Sequence, residues 1–106
     1  MSEADSSTRN LFAWLRNVQA DPEIAASGFR LAFVISQDLD ADGRARPTQA
    51  ALAAAINATE RTVRTLTDKL VERGHLAVTV QRGRGVPNVY ALINSDLASP
   101  DREAVA

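Results

Sequence analysis

The 106-residue sequence contains no cysteine, one histidine (His75) and one lysine (Lys69). The missing cysteine excludes disulfides, thiolate metal sites and a cysteine nucleophile, and leaves the redox compartment open. A single histidine and the lack of a phosphate-cradling glycine motif leave no assembled catalytic constellation, so neither enzyme activity nor a cofactor is expected. His75 opens an extended segment and is read as structural. No apolar run is long enough to span a bilayer, and the opening MSEADSSTRN is acidic and polar where a secretory leader would be basic and then apolar. A cytoplasmic protein without membrane contact is expected. Eleven arginines against one lysine is a usage that suggests a GC-rich bacterial genome.

What is present fits one ordinary globular domain: 45% of residues are hydrophobic and 24% charged, enough for a modest core. The formal net charge of −1 conceals a division along the chain. Residues 44–93 carry eight basic groups against three acidic ones, a net of +5, whereas the remainder carries four against ten, a net of −6.

The segment from Pro47 to Gly74 organises the rest. Thr48 suits a helix N-cap after proline, and Leu52 and Ile56 share one face of a short alanine-rich helix. Asn57, tolerant of left-handed backbone, stops it, and Thr59 caps a second helix. Val63, Leu66 and Leu70 form the buried stripe of that helix, and Gly74 ends it. Two helices joined by this tight turn make a helix-turn-helix.

Ahead of it, Leu11, Trp14, Leu15 and Val18 predict an amphipathic helix from about Ser7 to Ala20, with Trp14 in a helix interface. Asp21 and Pro22 read as the cap and first turn of another helical segment that bends near Ser27 and Gly28. Phe29 to Leu39 is apolar nearly all round, as expected of a central helix. The run Asp38-Leu39-Asp40-Ala41-Asp42-Gly43 imitates the start of a calcium loop, but Gln49 occupies the twelfth position and Pro47 interrupts it, so no metal is expected. A short strand at Arg44–Arg46 leads into the helix-turn-helix. After Gly74 the period falls to two: Leu76, Val78 and Val80 share a strand face, Arg82-Gly83-Arg84-Gly85 turns the chain, and a second strand returns over Asn88–Ile93. The expected division is a leader and amphipathic helix (1–27), the main domain (28–93) and a tail (94–106) carrying no site.

In that order, residues Gly43 to Leu92 resemble the winged-helix modules of bacterial and phage regulators and plasmid replication initiators. The resemblance lies in Pro47-Thr48, Leu52-Ala53, Thr59-Glu60-Arg61-Thr62-Val63, Leu70-Val71-Glu72-Arg73-Gly74 and Asn88-Val89-Tyr90. Asn57 replaces a common turn glycine and Ala58 a larger aliphatic residue. The fold expected is mainly α with a small β-hairpin wing, a winged helix-turn-helix extended by an N-terminal helix.

Such a motif inserts its second helix into the major groove of duplex DNA. With Val63, Leu66 and Leu70 assigned to the core, Glu60, Arg61, Thr62, Arg64, Thr65, Asp68 and Lys69 are the candidates to face the groove or its rim. Arginine and lysine reach guanine edges or phosphates, and a glutamate can accept from cytosine. The competing assignment pairs Glu60 with Arg64, or Arg64 with Asp68, on a solvated helix face. Arg82 and Arg84 on the wing, with Arg44, Arg46 and Thr48, are candidates for phosphate or minor-groove contact.

The expected function is sequence-specific duplex-DNA binding by a small transcription regulator or a recombination or replication accessory factor. The alternative is an interaction module whose basic face meets an acidic protein. The apolar face of the N-terminal helix is expected to pack on the Phe29–Leu39 helix, either across a two-fold axis in a homodimer or within one chain, which satisfies the same burial, and a protein partner on that helix is the other occupant considered.

Overall fold

The computed structural model describes residues 3–81 and 86–93, and the tail from residue 94 lies outside them. Among these, four helices and three strands run in the order α1 (Glu3–Ala20), α2 (Ala26–Ser36), β1 (Arg44–Ala45), α3 (Gln49–Ala55), α4 (Glu60–Glu72), β2 (Leu76–Thr79) and β3 (Val89–Leu92). The strands form one antiparallel sheet ordered β1-β3-β2. Helices α3 and α4, with β1 before them and the β2–β3 hairpin after, constitute a winged helix-turn-helix, with α1 and α2 in front.

The helix-turn-helix forms as its sequence dictates. Thr48 accepts the N–H of Ala51 at 3.0 Å and Thr59 accepts that of Thr62 at 3.1 Å, so each hydroxyl satisfies an amide that its helix cannot. Between them Asn57 adopts φ 56°, the left-handed conformation in which a turn glycine would otherwise serve. Gly74 does the same after α4 with φ 80°, and backbone bonds from Gly74 to Val71 and from His75 to Leu70 close the helix end.

Helix α1 starts earlier than Ser7, since no proline or glycine stands in the leader to stop it. The expected helix at Asp21-Pro22 does not form. Asp21 Oδ1 accepts the N–H of Glu23 at 2.9 Å in a local turn, and α2 begins only at Ala26. Nor does the chain bend at Gly28, which lies inside α2. A Cβ there would come within 3.0 Å of the Ile24 side chain, so the glycine permits close packing. Helix α2 ends at Ser36, short of Leu39, where the Ser36 hydroxyl donates to the Phe33 carbonyl at 2.6 Å and the chain tightens.

The core is continuous from α1 to the sheet. Trp14, Val18, Leu31, Ile35, Leu52, Val63, Leu70, Leu76 and Tyr90 are fully buried, with Leu11, Leu15, Leu66 and Ala58 packed around them. The apolar face of α1 is therefore covered within the chain, and residues 10–20 share one core with the main domain. Trp14 also donates its indole N–H to the carbonyl of His75 at 2.7 Å, tying α1 to the first residue of the wing.

Strand β1 pairs with β3 (Ala45 opposite Tyr90), and β3 with β2 (Leu76 opposite Leu92, Thr79 opposite Val89). Val80, expected on the strand face with Leu76 and Val78, lies beyond the ladder and is 73% exposed. Continuing the register would set Gln81 against Pro87, which has no N–H to give, and the Gln81 amide turns to the Asn88 side chain instead.

Candidate nucleic-acid interface

Helix α4 is built to present a face. Val63, Thr67 and Leu70 are buried, Leu66 is half-buried, and Glu60, Arg61, Thr62, Arg64, Thr65 and Asp68 are exposed. At 3.6 residues per turn Arg61, Thr65 and Asp68 run along the ridge opposite the buried stripe, with Arg64 on one flank and Thr62 and Lys69 on the other. Thr67 is the residue the periodic reading omitted. It completes the inward stripe four positions after Val63, and a hydroxyl there gave the pattern no apolar signal.

Several hydroxyls on this face are already oriented. Thr59 Oγ1 donates to Thr62 Oγ1 at 3.1 Å, leaving the Thr62 proton free for an outside acceptor. Thr65 Oγ1 donates to the Arg61 carbonyl at 3.2 Å, which leaves its lone pairs available to an outside donor.

The cations of the basic segment divide into held and free. Arg46 pairs with Asp40, Lys69 with Glu72 at 3.6 Å, and Arg73 with Asp21 at 2.9 Å. Arg44, Arg61 and Arg64 form no ion pair among the described residues, and the anticipated Glu60–Arg64 and Arg64–Asp68 pairs do not form. Arg44 and Arg46 border one open depression with Asp38, Asp40, Pro47 and Ala51, next to the start of α3. Thr48 is exposed there, with its oxygen engaged in capping. Arg82 and Arg84 lie outside the described residues.

Two carboxylates read from the sequence as a helix cap and as part of a turn brace this surface instead. Asp21 meets both Arg73 at the end of α4 and His75 Nε2 at 2.8 Å. The Arg73 bond foremost, then the Glu23 amide and His75, hold the Asp21 carboxyl well below the usual carboxylate range. These partners stand 52 and 54 positions away, and no local pattern announces them. Asp40 accepts the amides of Asp42 at 2.9 Å and Arg44 at 3.1 Å as well as the Arg46 guanidinium. The Arg44 amide first, then Arg46, lower its pKa. Within the calcium-like run it is Asp40 that holds an arginine, and among the described residues no group of three or more His, Cys, Asp or Glu could hold a metal.

No protein-family model matches the chain and no curated protein matches it. Among solved structures it is similar to the homodimeric winged helix-turn-helix DNA-binding domain of a possible ArsR-family transcriptional regulator from Mycobacterium bovis, at 15% identity and a TM-score of 0.49 over 92% of this chain and 78% of that one. It is also similar to NolR from Sinorhizobium fredii, at 13% identity and a TM-score of 0.40 over 99% of this chain and 86% of that one. At such identities no site residue is carried across from either.

Proposed function

We propose that the protein binds duplex DNA sequence-specifically through α4, as a small bacterial transcription regulator or as a recombination or replication accessory factor. One observation supports this above the rest. Arg61 and Arg64 stand without carboxylate partners among the described residues, beside Thr62 and Thr65, on the outward face of a helix whose inward face is anchored in the core. Unpaired guanidinium groups on a rigid helix of groove-filling width are suited to guanine edges and phosphates. Arg44 and the wing residues Arg82 and Arg84 are assigned to phosphates, with Thr48 beside them and Glu60 and Lys69 at the rim of the base-reading set. No helix among the described residues is long and apolar enough to cross a membrane.

A homodimer completes the proposal. Phe12 on α1 is 57% exposed and Phe33 on α2 is 44% exposed, apolar area left over after the inner faces have packed. A two-fold pair would set two α4 helices about one turn of DNA apart, ~34 to 36 Å, and call for a palindromic site.

The test is selection of bound duplexes from a random pool by the wild type and by Arg64→Ala. The expected result is an enriched motif in which the variant loses preference at one base pair, at a cost of about 1 to 3 kcal/mol on the best site. Equal weakening on every sequence would remove Arg64 from base reading, and no enrichment by the wild type would remove sequence specificity altogether.

A further inference from the structure

We infer that Asp40 is an intramolecular competitor for DNA phosphate, holding Arg46 out of the phosphate-contacting set. The inference rests on the DNA-binding reading and assigns a regulatory role to a carboxylate that borders the same depression as Arg44 and Arg46.

An ordinary exposed ion pair is weak because two mobile side chains must be ordered to make it. Here one partner is already ordered. Asp40 Oδ1 accepts two backbone amides, the Asp40 amide donates to the Arg44 carbonyl at 2.7 Å, and the Gly43 amide returns to the Asp40 carbonyl at 3.0 Å, with Gly43 at φ 78° closing the turn. The second oxygen, Oδ2, is left pointing at Arg46. A fixed carboxylate oxygen offers a guanidinium the same charge-assisted bond that a phosphate offers. Arg44, two residues earlier on the same depression, has its backbone in this turn while its side chain has no carboxylate partner among the described residues. Two neighbouring arginines at the entrance to α3 are thereby given different roles: Arg44 is available to the nucleic-acid backbone and Arg46 is occupied. The arrangement limits sequence-independent affinity, which comes from phosphate contacts, without touching the base-reading face of α4.

Asp40→Asn separates the two functions of the side chain, because an amide oxygen still accepts the two backbone N–H groups but no longer carries the charge that retains Arg46. Binding of the full chain to two unrelated duplexes, measured by fluorescence anisotropy across a salt series, is compared for wild type, Asp40→Asn, Arg46→Ala and the double variant. Asp40→Asn should bind both duplexes several-fold more tightly, with the slope of log K against log salt steeper by about 0.9. The gain should disappear in the double variant, and Arg46→Ala alone should bind as the wild type does. Arg46→Ala leaves the backbone bonds of Asp40 in place, so it remains decisive even if Asp40→Asn loosens the turn. Loss of several-fold affinity in Arg46→Ala alone, or an equal gain from Asp40→Asn with and without Arg46, overturns the inference while leaving DNA binding intact. A wild type that binds neither duplex at low salt overturns the DNA-binding reading, and this inference with it.

Discussion

Asp21 meets an arginine, a histidine and a backbone amide with a single carboxylate, and its side chain is 7% exposed. Its partners belong to the end of α4 and the start of β2, so the charge sets α4 and the sheet against the turn that leaves α1. The folded-state pKa of Asp21 is depressed from the ordinary 3.8. A depressed carboxyl contributes stability that is present above the unfolded-state value and lost as pH falls below it toward the folded value. Acid titration followed by circular dichroism should therefore show the wild type losing stability below about pH 4 more steeply than Asp21→Asn, which lacks the titrating group. Parallel curves would mean that Asp21 does not stabilise the fold through its charge. At this scale the sequence was least informative. His75 was read as structural without a partner, Asp21 resembled a helix cap, and Arg73 stood out only within the Leu70–Gly74 resemblance, because their pairing depends on how distant segments dock.

The elements were far more legible, and the reason is local chemistry. Thr48, Asn57, Thr59 and Gly74 each solve a backbone problem within a few residues of themselves, so the limits of α3 and α4 follow from hydroxyl capping and left-handed backbone. The misreadings fall where tertiary contacts override local preference. Pro22 lies in a turn because Asp21 is claimed elsewhere, Gly28 is packing rather than a hinge, and Val80 leaves the ladder because its returning partner strand begins after a proline. Thr59 gives the clearest test of the local account. Thr59→Ala should destabilise the protein by about 1 kcal/mol, through loss of the cap on α4. It should also weaken DNA binding, because Thr62 and the first turn beside Arg61 lose their anchor. A melting temperature unchanged within error would show that the cap contributes nothing.

For the whole molecule, the division of charge was visible as a contrast between residues 44–93 and the rest, and the structure narrows it by pairing Arg46, Lys69 and Arg73 with carboxylates. The place of α1 was only half legible: its apolar stripe required a cover, but periodicity cannot say whether the cover is the same chain or another. Trp14 is 0% exposed within one chain, so Trp14→Ala should cost about 3 to 5 kcal/mol of stability regardless of oligomeric state. Phe12→Ser should leave thermal stability nearly unchanged and, on the dimer proposal, shift sedimentation at micromolar concentration to the monomer. A Trp14→Ala variant that melts like the wild type would contradict the intrachain core.

The central claim is that Arg44, the arginines of α4 that form no ion pair among the described residues, and the arginines of the wing sequence meet a phosphate backbone, and salt tests it most directly. Neutralising each phosphate contributes about −0.9 to the slope of log K against log salt, so contacts from Arg44, Arg82, Arg84 and one arginine of α4 should give a slope of about −3 to −4 per protomer on duplex DNA. A flat response, or no binding at low salt, would contradict the account and favour an interaction module whose basic face meets an acidic protein.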